Sequence, residues 1–126
     1  MLWEHFEEGN LRGQIDLMKD RGMAFPEAKV WEWLGQALLG LVHAHWKSVV
    51  HLDLKPENFL LEGGNLKIRD FGVSKLLSGE DMPSISAYMS PEAVSGKERL
   101  SEKADIWALG CIFYELLTHR CPFDLT

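Results

Sequence analysis

The sequence predicts a mainly α-helical fold with one small β-hairpin. Two long segments, 26–44 and 101–118, carry apolar residues at helical spacing around most of their circumference, which is typical of helices inside a larger body. A shorter amphipathic helix is expected over 11–19. Two short apolar runs, 59–61 and 66–68, flank a Glu-Gly-Gly-Asn turn, and this pattern predicts the hairpin.

The remaining segments are expected to be turns and loops. Residues 7–10 are expected to form a turn, and residues 49–58 and 73–89 are expected to be loops, since they carry proline or no period. Pro26 suits the first position of its helix, because its missing N–H would be unpaired there anyway. The hydroxyl of Ser101 is expected to cap the last helix.

Composition narrows the class of protein. The 126 residues allow one domain at most. Their net charge of -6 does not attract nucleic acid or anionic membranes. No apolar run reaches the ~20 residues of a spanning helix, and the first residues lack the features of a signal peptide. Two cysteines are too few for a disulfide scaffold or a Cys-based zinc site. We therefore expect an intracellular, cytoplasmic protein with free thiols and with neither nucleic-acid nor membrane partners.

Two loops concentrate the residues that carry chemistry. The first is His-Leu-Asp-Leu-Lys-Pro-Glu-Asn at 51–58, and the second is Asp-Phe-Gly at 70–72, directly after a predicted strand. Carboxylate and amide oxygens suit a hard cation such as Mg²⁺. A lysine two residues after an aspartate can hold a phosphate while the aspartate handles a hydroxyl proton. These residues alone predict metal-assisted phosphoryl transfer or hydrolysis.

Ordered motifs then give a family resemblance. The sequence resembles the eukaryotic-type protein kinases over essentially its whole length, and it is similar in particular to the NIMA-related kinases. The motifs are HLDLKPEN at 51–58, DFG at 70–72, SPE at 90–92, DIWALG at 105–110, CPF at 121–123 and a hinge-like EHFEEGNL at 4–11.

The resemblance implies a partial protein kinase domain over residues 1–126. It implies a mainly helical large lobe with a small hairpin, and it implies that the small lobe is missing, because the chain has no Gly-rich loop and no strand lysine of the V-A-I-K type. The implied regions are a hinge at 1–10, a helical and catalytic-loop region at 11–72, an activation segment at 73–92 and a final helical region at 93–126.

The resemblance also implies the catalytic and metal-binding residues. Asp53 would accept or orient the proton of the substrate hydroxyl, and Lys55 would stabilise the transferring phosphoryl group. Lysine at this place is typical of Ser/Thr rather than Tyr kinases. Asn58 and Asp70 would hold Mg²⁺. The implied cofactors are thus ATP and Mg²⁺, and the implied partner is a protein substrate.

Five further residues take roles by the same resemblance. Leu60 would form the floor under adenine, and the backbone groups of Glu4 and Phe6 would pair with the adenine edge. His51 would anchor the catalytic loop beside the DFG segment. Asp105 would brace that loop from the final helix.

The chain departs from the kinase pattern at places that affect regulation and activity. Leu52 replaces the arginine that usually pairs with a phosphate on the activation loop, and leucine cannot form that contact. Ile85 stands where Ser/Thr kinases usually place a threonine, which removes a hydrogen bond. A bulky Trp3 falls at the position behind adenine. Together with the missing small lobe, these changes predict that the isolated chain is weakly active or inactive.

The leading interpretation is a Ser/Thr protein kinase catalytic-region fragment, whose family reaction is Mg-ATP-dependent phosphoryl transfer to protein Ser/Thr hydroxyls. The alternative is a non-catalytic, pseudokinase-like binding module or a truncated gene product. A metal-dependent phosphohydrolase on an unrelated fold would explain the acidic loops but not the SPE and DIWALG motifs. A helix points His43 and His45 about 200° apart, so we expect no shared metal there.

Overall fold

The computed structural model describes residues 8–69, 87–95 and 101–123. This part of the chain is mainly helical with a small sheet, as the sequence predicts. Its elements in order are β1 (Glu8–Asn10), α1 (Leu11–Asp20), α2 (Glu27–Trp46), a 3₁₀ turn (Pro56–Asn58), β2 (Phe59–Glu62), β3 (Asn65–Ile68), α3 (Pro91–Ser95) and α4 (Glu102–Thr118).

The sheet has three antiparallel strands in the order β1-β2-β3, one more than the predicted hairpin. The prediction of a turn at residues 7–10 is wrong for Glu8–Asn10, which pairs with β2 so that Gly9 faces Leu61. Gly9 has a φ of 94°, a conformation that only glycine adopts without strain. Three residues around a glycine carry too little alternation to reveal a strand, and the distant partner decides their conformation.

The predicted β2–β3 hairpin is confirmed, and its two strands are joined by a turn of only two residues. Gly63 and Gly64 have φ values of 58° and 83°, and Glu62 pairs directly with Asn65. Two consecutive positive φ angles are what a two-residue type I′ turn needs, and Gly-Gly supplies them without strain. The tight turn brings the end of β3 back beside the start of β2, where loop 51–58 ends.

Local capping starts the helices. The side chain of Asn10 accepts a hydrogen bond from the Gly13 N–H at 2.9 Å and caps α1. Ser101 caps α4 as predicted, since its hydroxyl accepts from the Lys103 N–H at 3.3 Å. Pro26 lies one place earlier than predicted, because it is the cap of α2 and not its first residue.

Helix α2 is apolar around most of its circumference, as the sequence predicts, but it buries only one face. The helix buries the single face formed by Val30, Trp33, Ala37, Leu41 and Ala44. Large apolar side chains on its other faces stay exposed among the described residues, and the most exposed is Trp46 at 87%. No described helix is long and apolar enough to cross a bilayer.

The core lies between α1, α2, the sheet and α4. Trp33 is its largest side chain and is fully buried. Its ring meets Phe25 edge to face at a centroid distance of 5.6 Å, and its indole N–H donates to the Gly64 carbonyl at 3.1 Å. One residue thereby fixes the hairpin turn to α2. The other core members include Leu11, Ile15, Met18, Leu41, Leu54, Phe59, Leu61, Leu66, Ala108, Leu109, Ile112 and Leu116.

Candidate active site

A buried carboxylate from α4 fixes the start of loop 51–58. Asp105 is 1% exposed, and it accepts hydrogen bonds from the backbone N–H groups of His51 and Leu52, both at 2.8 Å. It also pairs with Nε2 of His45 at 2.9 Å. Charge-assisted bonds of this kind are stronger than neutral ones. The predicted bracing of this loop by Asp105 is confirmed.

The contact fixes an unusual backbone conformation. Leu52 has a φ of 68°, in the left-handed region that β-carbon-bearing residues rarely enter. Such a conformation costs on the order of 1–3 kcal/mol and persists only where its surroundings enforce it. The two bonds from Asp105 to consecutive amides provide that enforcement. They turn the chain sharply just before Asp53.

His51 joins the loop to the end of β3. Its ring is 1% exposed, and Nδ1 accepts from the Asp53 N–H at 3.2 Å, so the ring hydrogen is on Nε2. Nε2 donates that hydrogen to the Arg69 carbonyl at 2.8 Å. The Arg69 N–H in turn donates to the Asn58 carbonyl at 2.9 Å. Both ends of the loop therefore bond the residue that directly precedes Asp70.

Asp53 and Lys55 lie on the open side of this loop. Their side chains are 36% and 40% exposed, and Lys55 Nζ lies 3.7 Å from Asp53 Oδ2. Between them, Leu54 is 2% exposed and packs in the core. This alternation anchors the loop while it presents both charges to solvent. An exposed ion pair adds little to stability, so both groups can serve a ligand at small cost.

Asn58 closes the loop in the 3₁₀ turn. It is 5% exposed, and its Oδ1 accepts from the Lys55 N–H at 3.1 Å. A carbonyl oxygen has two lone pairs, so this bond is compatible with metal ligation. The side-chain oxygen of Asn58 is of the type that Mg²⁺ prefers.

The structure brings together Asp53, Lys55 and Asn58 of the predicted site residues. Leu60 follows on β2, half-buried, on the sheet face opposite the buried Phe59. The other predicted residues, Glu4, Phe6 and Asp70, lie outside the described residues, as do Trp3 and Ile85.

Comparison with known proteins agrees with the family that the sequence motifs indicate. The family described as the protein kinase domain matches residues 1–126 of the chain. The chain belongs to the protein kinase family. This finding confirms the resemblance that the motifs of the kinase domain predict.

The curated relatives of this kinase domain are serine/threonine-protein kinases. Human Nek11 is 40% identical over 121 residues, which cover 92% of the chain and 19% of the relative. The Caenorhabditis elegans kinase nekl-2 is 37% identical over 135 residues, covering 98% of the chain and 38% of the relative. Human Nek5 is 33% identical over 131 residues, covering 98% and 18%. The chain thus spans less than half the length of these relatives, and the predicted similarity to NIMA-related kinases is confirmed.

Sequence reasoning missed the role of His45 beside the site. The two histidines of α2 do diverge as predicted, since His43 is exposed while His45 is half-buried and reaches Asp105. Their different surroundings follow from the helical angle between them. The sequence signal for this pair was His45 near the end of the apolar helix α2 and Asp105 among the apolar residues of α4.

A second cluster went unpredicted beside the 3₁₀ turn. The guanidinium of Arg12 donates to Glu115 at 2.9 Å, to the Tyr88 hydroxyl at 2.6 Å and to Glu57 at 3.4 Å. The Tyr88 hydroxyl donates to Glu115 at 2.5 Å. Burial alone would raise the pKa of Glu115, but its hydrogen bonds from Arg12 and Tyr88 bring that pKa below its ordinary value. The signal was Glu115 itself, an acid on the buried face of the apolar helix α4.

The lowered pKa of Glu115 predicts a pH dependence. A carboxyl whose pKa is lower in the folded state stabilises the fold fully above its unfolded pKa of about 4.3, and that contribution is lost as pH falls through the folded pKa. We therefore expect Glu115→Gln to cost stability at neutral pH and to cost progressively less below about pH 4. Urea unfolding of both chains across this range measures the difference. A constant difference at all pH values would contradict the prediction.

Proposed function

We propose that this kinase domain chain supplies the catalytic loop and magnesium ligands of a Ser/Thr protein kinase. The reaction is transfer of the γ-phosphoryl group of Mg-ATP to a protein Ser/Thr hydroxyl. The observation that supports this most directly is the position of Arg69. Its backbone bonds His51 on one side and Asn58 on the other, so loop 51–58 lies against the segment that leads into Asp70.

In the proposed reaction, the side chains of the open loop act on the reacting atoms. Asp53 accepts the proton of the substrate hydroxyl while the hydroxyl oxygen forms a bond to the γ-phosphorus of ATP. The bond between that phosphorus and the leaving ADP oxygen breaks in the same step. Lys55 stabilises the negative charge on the transferring group. Asn58 and Asp70 would hold Mg²⁺, which neutralises phosphate charge when bound.

The remaining predicted roles belong to the same proposal. Leu60 would lie under adenine, and the backbone groups of Glu4 and Phe6 would pair with its edge. Residues 1–10 would act as the hinge and residues 73–92 as the activation segment of a large lobe. Because Leu52 carries no charge, we propose that a phosphate on the activation segment does not control this loop through residue 52.

A non-catalytic binding module is the second candidate, and Leu52 together with Ile85 favours it. Under this alternative, the loop keeps its geometry through Asp105 but transfers no phosphate. It also predicts, as the sequence does, little turnover by the isolated chain. The two candidates therefore have to be separated in a protein that supplies the rest of a kinase domain.

A chimera provides that test. The 126 residues replace the matching stretch of human Nek11, to which they are 40% identical over 121 residues. We expect the chimera to phosphorylate serine or threonine of a general protein substrate when Mg²⁺ and ATP are present, and to stop when Mg²⁺ is chelated. Native Nek11 assayed in parallel provides the positive control. A folded chimera that binds Mg-ATP without transferring phosphate would favour the binding module.

A further inference from the structure

Arg12 joins four separate parts of the kinase domain at one guanidinium. It belongs to α1, and its partners Glu57, Tyr88 and Glu115 belong to the 3₁₀ turn, to the segment before α3 and to α4. A fourth contact, to Asp16 at 3.4 Å, stays within α1. The planar fork of arginine suits such a junction, because its donors point in fixed and different directions.

These contacts differ in strength because their burial differs. The side chain of Glu115 is 7% exposed, whereas those of Glu57 and Asp16 are 44% and 59% exposed. Exposed ion pairs contribute little, whereas a buried carboxylate depends strongly on its partners. The strong part of the junction is therefore Arg12 with Glu115 and Tyr88, and Glu57 is a weaker outer contact.

The three strong groups form a closed ring of hydrogen bonds. Arg12 donates to Tyr88 and to Glu115, and Tyr88 donates to Glu115. The pKa of Glu115 lies below its ordinary value for the reason given above, so this carboxylate carries its charge at neutral pH. Without the guanidinium, that charge would keep only weaker partners and would be driven toward solvent. Tyr88, which is 8% exposed, would then lose its hydrogen bonds to Arg12 and Glu115.

Tyr88 lies in the segment that leads into the SPE motif. Its neighbours Ala87 and Met89 line a cavity together with Trp107 and Phe123, whose rings stack at a centroid distance of 5.5 Å. The placement of Tyr88 therefore sets the placement of Met89 beside two aromatic rings. Because Met89 directly follows Tyr88 in the chain, a displacement of Tyr88 would also displace Met89 from these rings.

We propose that Arg12 is a positioning residue that holds segment 87–90 against α1 and α4, and so fixes that segment relative to loop 51–58. Any effect of this positioning on a protein substrate rests on the proposed function. The positioning of the segment by Arg12 does not depend on that function. The contact spans 76 residues of sequence between Arg12 and Tyr88.

The methyl group of Met89 reports the position of the segment. We would label the methionine methyl groups with ¹³C in the 126-residue chain and identify the Met89 signal with Met89→Leu. The nearby rings of Trp107 and Phe123 shift this signal in the unmodified chain. In Arg12→Ala we expect it to move toward the value of a free methionine, while the signal of the buried Met18 on α1 stays in place.

Added guanidinium ion tests the chemistry of the junction. At millimolar concentration, far below the molar range that unfolds proteins, guanidinium should return the Met89 signal of Arg12→Ala toward its original position. It should not do so in Arg12→Ala/Glu115→Gln, which lacks the buried carboxylate. Asp16→Asn serves as the matched control, because it removes an exposed partner of Arg12 and should leave Met89 unmoved.

Two results would overturn the proposal. One is an unmoved Met89 signal in a folded Arg12→Ala chain, and the other is equal rescue by guanidinium with and without Glu115. If the Met18 signal shows that Arg12→Ala unfolds, Arg12→Lys decides instead, since it keeps the charge but loses the fork: a moved Met89 signal supports the proposal and an unmoved one overturns it. None of these readings requires phosphate transfer. An inactive Nek11 chimera would therefore count against the proposed function alone.

Discussion

Asp105→Ala is expected to lower the free energy of unfolding by roughly 2–6 kcal/mol, because it leaves the backbone N–H groups of His51 and Leu52 without their acceptor. Each buried donor without a partner costs about 1–3 kcal/mol. Total stabilities of domains are only about 5–15 kcal/mol, so this is a large fraction. Urea unfolding followed by tryptophan fluorescence measures it, and the chain has 5 tryptophans as reporters.

Two companion variants show whether the effect comes from those amides. Asp105→Asn keeps one oxygen but turns an NH₂ group toward the second N–H, so its loss of stability should be intermediate. Asp16→Ala, at an exposed site of α1, should change stability by no more than about 0.5 kcal/mol. Equal stability of Asp105→Ala and Asp16→Ala would show that Asp105 does not support the loop.

Asp53→Asn is expected to lower kcat of the Nek11 chimera by about 10²–10⁴-fold, the usual contribution of a positioned general base. The isosteric amide keeps the shape of the side chain but cannot take the substrate proton. We expect little change in KM for ATP, because the predicted magnesium ligands Asn58 and Asp70 remain. Initial rates of phosphate transfer at varied ATP concentration measure both constants.

The exposure of Asp53 makes this variant a clean test. Its carboxylate is 36% exposed, and its contact with Lys55 is a solvent-accessible one at 3.7 Å, so the amide should leave the unfolding midpoint almost unchanged. Asp16→Asn, another exposed aspartate of the chain, should retain full activity. Full activity of Asp53→Asn would remove Asp53 from the proposed chemistry. If the unmodified chimera is itself inactive although it is folded and binds Mg-ATP, the binding-module alternative gains support instead.

Features specified by neighbouring residues were predictable from the sequence. The helices follow from apolar spacing, and the hairpin follows from Gly63-Gly64 between two apolar runs. The closeness of Asp53 and Lys55 follows from their position in one short loop. Strand β1 was not predictable in this way, because Glu8–Asn10 becomes a strand only by pairing with residues 60–62, at least 50 positions away.

The supports of the site were less predictable, because they join distant parts of the chain. The role of Asp105 came from the family resemblance, and no periodicity indicated it. The Arg12–Glu115 contact spans 103 residues, and a local pattern cannot pair such positions. The sequence did not indicate which face of α2 meets the core, since apolar residues lie around most of this helix. The sequence does contain one indication of these long-range contacts, because Asp105 and Glu115 are acids on the buried face of an apolar helix.

The bracing of loop 51–58 from α4 has a consequence for biosynthesis. Asp105 follows His51 by 54 residues, and closing so long a loop carries an entropic cost before any contact compensates for it. A chain growing on the ribosome therefore exposes Asp53, Lys55 and Asn58 well before the carboxylate that shapes their backbone has been synthesised. The nascent chain therefore contains every residue of loop 51–58 before the loop can adopt its final conformation. That conformation forms only after α4 has been synthesised and has packed against the loop.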